Sequence, residues 1–234
     1  MAKRIPKKKM ANKNIRNKNR RKLMLLTGTA AALMISVSVF GCNRIGLFLH
    51  SAKGYQEDMI DVIDVIDVSD EIDGEQVPLF LQSDERWGDN HYGDGHISKT
   101  GCGPTCLSMV YCYLTGDASM HPGRMAAWAE QEGFYAYGTG TRWSLMDDGA
   151  EELGLQAYTD ELSEENILDD LSSGHVIICS VAPGDFTTEG HFIVLAGLND
   201  DGTVKVNDPN SKKRSEKEWD VERILPQIKQ FWVY

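Results

Sequence analysis

The chain has 234 residues, of which 41% are hydrophobic, enough for one packed domain with additional segments. Residues 1–22 carry eleven Lys and Arg and no acid, whereas residues 23–234 hold 13 basic against 35 acidic groups, a net charge of −22. A body this acidic repels nucleic-acid phosphates, and this excludes nucleic acid as its partner.

An uncharged apolar run, Leu23 to Gly41, follows the basic arm of residues 1–22. Its 19 residues approach the roughly 20 that a helix needs to span a bilayer. A basic cytoplasmic flank before an apolar run is the pattern of protein export. Residues 23–42 are therefore interpreted as a cleaved signal, a retained membrane anchor, or a bacterial lipoprotein signal whose Cys42 becomes lipidated. Each alternative predicts that the remaining body is extracellular, either at the cell membrane or secreted.

Residues 43–76 are predicted to link the membrane segment to the folded domain. After a juxtamembrane stretch, residues 55–76 contain three consecutive Ile-Asp-Val repeats and many acids. A period of three fits neither a strand nor a stable helix, so this segment is interpreted as a solvated spacer. The folded domain is expected to comprise residues 77–234.

Helical patterns dominate the first half of this domain. Residues 88–100 are rich in Gly, Asp, Asn and His and are predicted to form a surface loop. An apolar run then follows Cys102-Gly103-Pro104 and stops at Thr115-Gly116-Asp117. Proline in a first helical turn and glycine after the last turn predict a buried helix here. Further helices are predicted at residues 122–131, 144–153 and 163–171.

Strand patterns dominate the second half of the domain. Strands are predicted at residues 176–181, 190–197, 204–206 and 230–234, with a short strand at 155–158 and a short helix at 219–225. The segment Asn199-Asp200-Asp201-Gly202 predicts a hairpin turn. Helices followed by antiparallel strands indicate an α+β domain, in which the central buried helix packs on a C-terminal antiparallel sheet.

Cys102 is the candidate nucleophile of the domain. A thiol at the start of a helix faces unpaired N–H groups and the positive end of the helix dipole, and both favour the reactive thiolate. Such a nucleophile also needs a base and a group that orients the base. His191 begins one strand and Asp208 follows the next, so antiparallel pairing brings them together. His175 also precedes a strand, but no carboxylate follows a neighbouring strand for it.

The other cysteines of the body, Cys106, Cys112 and Cys179, are interpreted as buried core thiols. Cys106 and Cys112 would lie about 9 Å apart along one helix, which is too far for a disulfide. The spacing of Cys102 and Cys106 lacks the second ligand pair of a zinc site, so neither a metal nor a cofactor is predicted.

Four segments together resemble those of papain-like cysteine peptidases: Gln82 with Asp84 and Trp87, Gly101-Cys102-Gly103-Pro104-Thr105, Gly190-His191-Phe192-Ile193-Val194, and Asn207-Asp208-Pro209. The chain is similar, over about residues 77–234, to the double-glycine-leader, bacteriocin-processing peptidases (family thirty-nine of the cysteine peptidases) and their exported relatives. The resemblance implies a papain-like fold with Cys102 as nucleophile, His191 as base and Asp208 as orienting acid. It further implies Gln82 as oxyanion donor beside the backbone N–H of Cys102.

Two features depart from the pattern of that family. Gln82 lies twenty residues before Cys102, so a longer loop must fold back to bring it to the site. The domain is also predicted to be exported rather than joined to a transporter, so processing of leader peptides in the cytoplasm is not implied.

The sequence thus predicts an exported, membrane-associated thiol peptidase that hydrolyses peptide or protein substrates through a Cys-His-Asp triad. Two alternatives remain open. The same triad could cleave an amide in cell-wall peptides or transfer the acyl group to an amine. The domain could also be an inactive peptidase scaffold that binds other molecules, although the intact set of Cys102, His191 and Asp208 argues against this.

Overall fold

The computed structural model of the protein describes residues 66–234, in which most helices precede the main sheet. The α-helices are α1 Ile97–Thr100, α2 Cys102–Thr115, α3 Pro122–Gln131, α4 Asp148–Glu152, α5 Glu164–Ser172, α6 Lys212–Ser215 and α7 Val221–Ile224. The strands are β1 His91–Tyr92, β2 Gly95–His96, β3 Tyr135–Ala136, β4 Gly140–Thr141, β5 Ile177–Val181, β6 His191–Leu198, β7 Val204–Asn207, β8 Glu218–Trp219 and β9 Ile228–Val233. Short 3₁₀ helices lie at Ser69–Glu71, Ala118–Met120, Trp143–Leu145 and Leu225–Gln227.

The basic arm and the predicted signal or anchor of residues 23–42 lie outside the described residues. Within residues 66–234, none of the helices combines the length and the apolar character that a bilayer crossing requires.

A five-stranded antiparallel sheet, with strand order β8-β7-β6-β5-β9, forms the second half of the domain. In its register, His191 of β6 lies opposite Val181 of β5, and Val194 of β6 lies opposite Asn207 of β7. All five residues of β5 are buried, as expected for a central strand that is covered on both faces. The α+β class with a C-terminal antiparallel sheet is confirmed.

Side chains alternate along the central strands between two hydrophobic clusters, one on each face of the sheet. Ile178 and Val194 belong to the cluster that contains the buried side chains of α2. Ile177 and Ile193 belong to the other cluster, which α5 completes with Ile167 and Leu171. The sheet therefore lies between two helical layers, and α2 covers the face from which the site is built.

Local signals set the limits of α2 as predicted. Pro104 occupies the first turn, where its missing N–H is not needed. Gly116 ends the helix in a left-handed conformation with φ of 68°, and its N–H donates to the Cys112 carbonyl at 2.9 Å. Every residue from 103 to 110 is buried. This helix is the central buried element that the sequence predicts.

The predicted surface loop at residues 88–100 is wrong. This stretch forms the β1–β2 hairpin followed by α1. Tyr92 and Ile97 are fully buried in the main core, where Tyr92 packs edge-on against Tyr135 at 5.0 Å between ring centroids. Two large apolar side chains thus attach an otherwise polar segment to the domain, and a composition count does not detect them.

Two further predicted elements differ from the structure. The helix predicted at residues 144–153 is divided into the 3₁₀ helix Trp143–Leu145 and α4, because the Met146 carbonyl accepts a hydrogen bond from Tyr234 Oη at 2.6 Å. The strand predicted at residues 155–158 reduces to one bridge between Tyr158 and Val233.

The end of the predicted acidic spacer packs against the domain. Val68 is 1% exposed and belongs to the same hydrophobic cluster as α2. Glu71 forms an ion pair with Arg86 at 2.5 Å between Oε1 and Nη1. The packed body therefore begins before Val77, where the sequence pattern placed its start, because the last Ile-Asp-Val repeat supplies an apolar anchor.

Candidate active site

A cleft of about 760 Å³ opens beside the start of α2, and both Cys102 and His191 line it. One wall is the β3–β4 hairpin with the Trp143 ring, which is 45% exposed. The opposite wall comes from the beginning of β6 and the neighbouring strands of the sheet. The cleft is open to solvent and has room for a peptide segment next to the thiol.

Close backbone approach explains the glycines on both sides of Cys102. A Cβ on Gly103 would lie 2.7 Å from Cγ2 of Thr141, so the hairpin rests directly on the start of α2. A Cβ on Gly101 would lie 2.6 Å from the carbonyl oxygen of Ile97. Side chains at either position would displace the turn that delivers the thiol to the cleft.

The β6–β7 hairpin brings His191 and Asp208 together, as antiparallel pairing predicts. His191 Nε2 lies 2.8 Å from Asp208 Oδ1, and both residues are buried. This contact occupies Nε2, so Nδ1 is the ring nitrogen available to the Cys102 sulfur. The thiol and the imidazole are close enough for each to shift the pKa of the other toward its charged form.

The charges of the site favour an ion pair between Cys102 and His191. Burial by itself raises the pKa of the Cys102 thiol, but hydrogen bonds from His191 and from the backbone of Phe192 and Gly103 bring the pKa below its ordinary value. Burial also lowers the pKa of His191, yet its contacts with Asp208 and Cys102 raise that pKa to about 9. Both shifts favour the thiolate–imidazolium form of the pair over the neutral form.

Arg214 is a member of the site that sequence reasoning missed. Its Nε donates to Asp208 Oδ2 at 2.5 Å, and the Asp208 carboxylate is fully buried. The backbone N–H of Asn210 donates to Oδ1 at 2.8 Å, and the backbone N–H of Asp208 donates to Ser215 Oγ at 2.8 Å. Burial alone would raise the pKa of Asp208, but His191 and Arg214 hold it below the usual range.

A signal for Arg214 is present in the sequence. Ser211 follows Asp208 closely, and a serine before a run of helix formers is an N-cap pattern. In the structure Ser211 Oγ accepts from the Arg214 backbone N–H at 3.2 Å, and α6 turns the arginine back onto Asp208.

The role of Gln82 as oxyanion donor stays a prediction. Gln82 is 2% exposed and does not belong to the described residues that line the cleft. Its Nε2 donates to the Ser98 carbonyl at 3.0 Å, which engages one of its two amide hydrogens. Its backbone N–H donates to the Pro209 carbonyl at 2.7 Å and joins this segment to the Asp208 loop. In the first turn of α2 the Thr105 N–H donates to the Gly101 carbonyl at 3.0 Å and Pro104 has no N–H, so the backbone N–H groups of Cys102 and Gly103 are the oxyanion donors that the geometry offers.

The remaining cysteines and the alternative histidine are not among the described residues that line the cleft. Cys106, Cys112 and Cys179 are free and buried, and burial raises the pKa of each thiol. His175 Nδ1 contacts the Tyr234 carbonyl at 2.8 Å, and its ring packs edge-on against Tyr158. His175 thus has a structural environment, whereas His191 faces the reactive thiol.

Comparison with known proteins gives a family relationship. The family model described as "Peptidase_C39 like family" matches residues 75–234. A crystal structure of a candidate C39-like peptidase from Bacillus anthracis is similar with a TM-score of 0.45 and 16% sequence identity, over 70% of this chain and 96% of that one. No curated protein matches significantly. The assignment depends on the family match, since both the TM-score and the identity are low.

Proposed function

The chain belongs to the Peptidase_C39 like family, and on that premise we propose that it is a cysteine peptidase with a Cys102, His191 and Asp208 triad. The observation that carries the proposal is that Cys102 and His191 line one open cleft, with His191 held by the buried Asp208 at 2.8 Å. A nucleophile, a base and an orienting carboxylate in this order are what covalent acyl transfer requires.

In the proposed reaction, the Cys102 thiolate attacks the carbonyl carbon of a peptide bond. The negative charge moves to the carbonyl oxygen, which accepts hydrogen bonds from backbone N–H groups at the start of α2. The His191 imidazolium then protonates the amine as the C–N bond breaks, and a thioester remains on Cys102. Neutral His191 next takes a proton from water, and the resulting hydroxide displaces the thiolate and releases a carboxylic acid.

Asp208 and Arg214 have no covalent part in this reaction. Asp208 fixes the ring orientation of His191 and favours its protonated form. Arg214 in turn neutralises a carboxylate that is otherwise buried, and we assign it as a positioning residue.

Site-resolved alkylation of the full-length protein tests the triad. We expect iodoacetamide to modify Cys102 at pH 6–7 faster than a free model thiol, because its lowered pKa raises the thiolate fraction. The three buried cysteines serve as internal controls, since mass spectrometry of the digested protein reports each one separately. His191→Ala should remove the fast reaction, while His175→Ala should retain it. A Cys102 that reacts no faster than the model thiol would contradict the proposal.

A substrate panel then separates the proposed peptidase from a cell-wall amidase or an acyl transferase. Casein-type peptides and cell-wall peptides are offered side by side, with and without an added amine acceptor. Hydrolysis of the casein-type peptides that is lost in Cys102→Ser supports the peptidase. If only the cell-wall peptides are cleaved, the protein would instead be assigned as a cell-wall peptide amidase.

We also propose that the peptidase domain is exported and associated with the membrane, on the sequence pattern of residues 1–42. Expression of the full chain in bacteria, followed by a membrane-impermeant thiol reagent on intact cells, tests this orientation. The mass of the mature N-terminus distinguishes a cleaved signal, a retained anchor and a lipid on Cys42. Labelling of Cys102 only after lysis would overturn the outward orientation.

A further inference from the structure

The cleft carries a charge pattern that is opposite to that of the domain around it. Residues 66–234 hold 31 acidic groups against 11 Lys and Arg, a net charge of −20. The cleft is instead lined by three cations, Lys99, Arg142 and Lys229, and by two acids, Asp94 and Glu189. Because clefts lined by one sign of charge concentrate ligands of the opposite sign, this local excess of cations bears on what the cleft binds.

The three cations are available to a ligand. Lys99, Arg142 and Lys229 are all exposed. Within residues 66–234, none of the three forms an ion pair, whereas three other arginines of the domain each pair with a carboxylate. Arg142 therefore places a guanidinium at the rim of a substrate-sized cleft. No carboxylate in the described part of the chain forms an ion pair with this guanidinium.

The acids of the cleft do not balance these cations. Asp94 Oδ2 already accepts hydrogen bonds from Tyr135 Oη at 3.2 Å and from the Gly138 backbone N–H at 2.5 Å. Asp94 thus serves to hold the β3–β4 hairpin in place. Glu189 is the other lining acid, so three cations face two carboxylates and these five side chains carry a net charge of +1.

The cations lie on different sides of the thiol. Lys229 follows Ile228, which pairs with Val181, and Val181 pairs with His191. Two strand spacings of about 4.8 Å put Lys229 roughly 10 Å from His191 across the sheet. Arg142 follows Thr141, which rests on the start of α2 on the hairpin side. An extended peptide advances about 3.3 Å per residue, so Lys229 would meet a side chain about three residues from the scissile bond.

We propose that this cleft selects acidic peptides, with Lys99, Arg142 and Lys229 binding carboxylates that flank the scissile bond. The inference rests on the proposed peptidase function and adds its substrate class. An acidic peptide is repelled by most of the domain surface and attracted at the cleft, so the local field also orients the peptide toward Cys102.

Matched peptides test the charge preference of the full-length protein. Three internally quenched peptides share one sequence and differ at the flanking positions, which are Glu, Gln or Lys. We expect kcat/KM to fall in the order Glu, Gln, Lys at low ionic strength, and the preference for Glu to shrink as salt is added. Equal cleavage of the Glu and Gln peptides would overturn the inference and leave the peptidase intact.

Charge-removing variants assign the preference to the three cations. Lys99→Gln, Arg142→Gln and Lys229→Gln should each lower the ratio of kcat/KM for the Glu peptide to that for the Gln peptide about 1.5- to 5-fold, as expected for exposed ion pairs. Lys213→Gln removes an exposed lysine outside the cleft lining and is the matched control. A triple variant that still prefers the Glu peptide would overturn the inference.

Binding to Cys102→Ala separates this inference from the proposed function. Fluorescence anisotropy with the same peptides, labelled and uncleaved, measures selectivity without any chemistry at the thiol. Tighter binding of the Glu peptide, lost in the triple variant, would support the inference. It would do so even if the wild-type protein cleaved none of the peptides. Absence of cleavage would count only against the proposed peptidase function. Equal binding of all three peptides would overturn the inference.

Discussion

Replacing Asp208 with asparagine tests the electrostatic account of the site most directly. The pKa of His191 is raised from 6.5 to about 9 by Asp208 and Cys102 against the opposing effect of burial. At about 1.4 kcal/mol per pH unit, these contacts favour the imidazolium by roughly 3 kcal/mol relative to a free imidazole. Asp208→Asn keeps a hydrogen-bond acceptor beside Nε2 and removes its charge. We therefore expect the His191 pKa to fall by about one pH unit or more, with the remainder maintained by Cys102.

The titration of His191 is measurable by NMR in the full-length protein. The chain has 6 histidines, and the resonance that disappears in His191→Ala identifies the one of interest. The alkaline limit of peptide hydrolysis should move with this pKa, since His191 must be protonated to release the amine. Asp185→Asn is the matched control, because Asp185 also pairs with an arginine, Arg223, but at an exposed place away from the cleft.

Three results would refute this reasoning. A His191 pKa near 6.5 in the wild-type protein would show that Asp208 and Cys102 do no more than offset the effect of burial. A pKa that stays near 9 in Asp208→Asn would show that the charge of Asp208 has no part in it. A change of the same size in Asp185→Asn would assign the effect to general electrostatics rather than to the contact at 2.8 Å.

Substitutions at three further positions have defined outcomes. Arg214→Gln leaves the buried Asp208 carboxylate without its arginine and should lower the free energy of unfolding by about 2–3 kcal/mol at pH 7. The lowered pKa of Asp208 stabilises the fold above pH 3.8, and this stabilisation is lost as pH falls through the folded-state value. In Arg214→Gln the folded-state pKa of Asp208 moves back toward 3.8, so urea titrations should show a smaller loss of stability on acidification than in the wild type, and Arg214→Lys should recover part of the wild-type loss. Cys106→Ser places a hydroxyl in the core and should cost about 1–3 kcal/mol in the same titration without slowing alkylation of Cys102. Val68→Ala should cost about 2 kcal/mol if the end of the acidic spacer is part of the fold, and no loss would show that it is not.

Features that depend on neighbouring residues were predictable from the sequence. The limits of α2 follow from Pro104 and Gly116, each of which acts within its own turn. The contact of His191 with Asp208 follows from one hairpin, because antiparallel pairing places the start of one strand beside the end of the next. The family and the fold class are confirmed on this basis, and the catalytic roles stay proposals.

Features that depend on tertiary packing were not predictable in the same way. Tyr92 and Ile97 are isolated apolar residues in a polar stretch, and their burial is decided by cavities that distant segments form. Tyr234 divides the helix predicted at residues 144–153 from 88 residues away in sequence. The N-cap pattern at Ser211 predicts the short helix that carries Arg214. The hydrogen bond from Arg214 to Asp208, however, depends on the position of Asp208 directly after β7.

The long β6–β7 hairpin also offers a place to attach the protein to a surface or a reporter. Its turn at residues 199–203 lies at the other end of β6 from His191, about 23 Å away at 3.3 Å per residue. Insertions into an exposed turn add little loop-closure entropy. Between this turn and His191, pairing such as that of Val194 with Asn207 fixes the strand register. A fluorophore or affinity sequence inserted between Asp200 and Asp201 would therefore permit immobilisation or imaging with an unobstructed cleft.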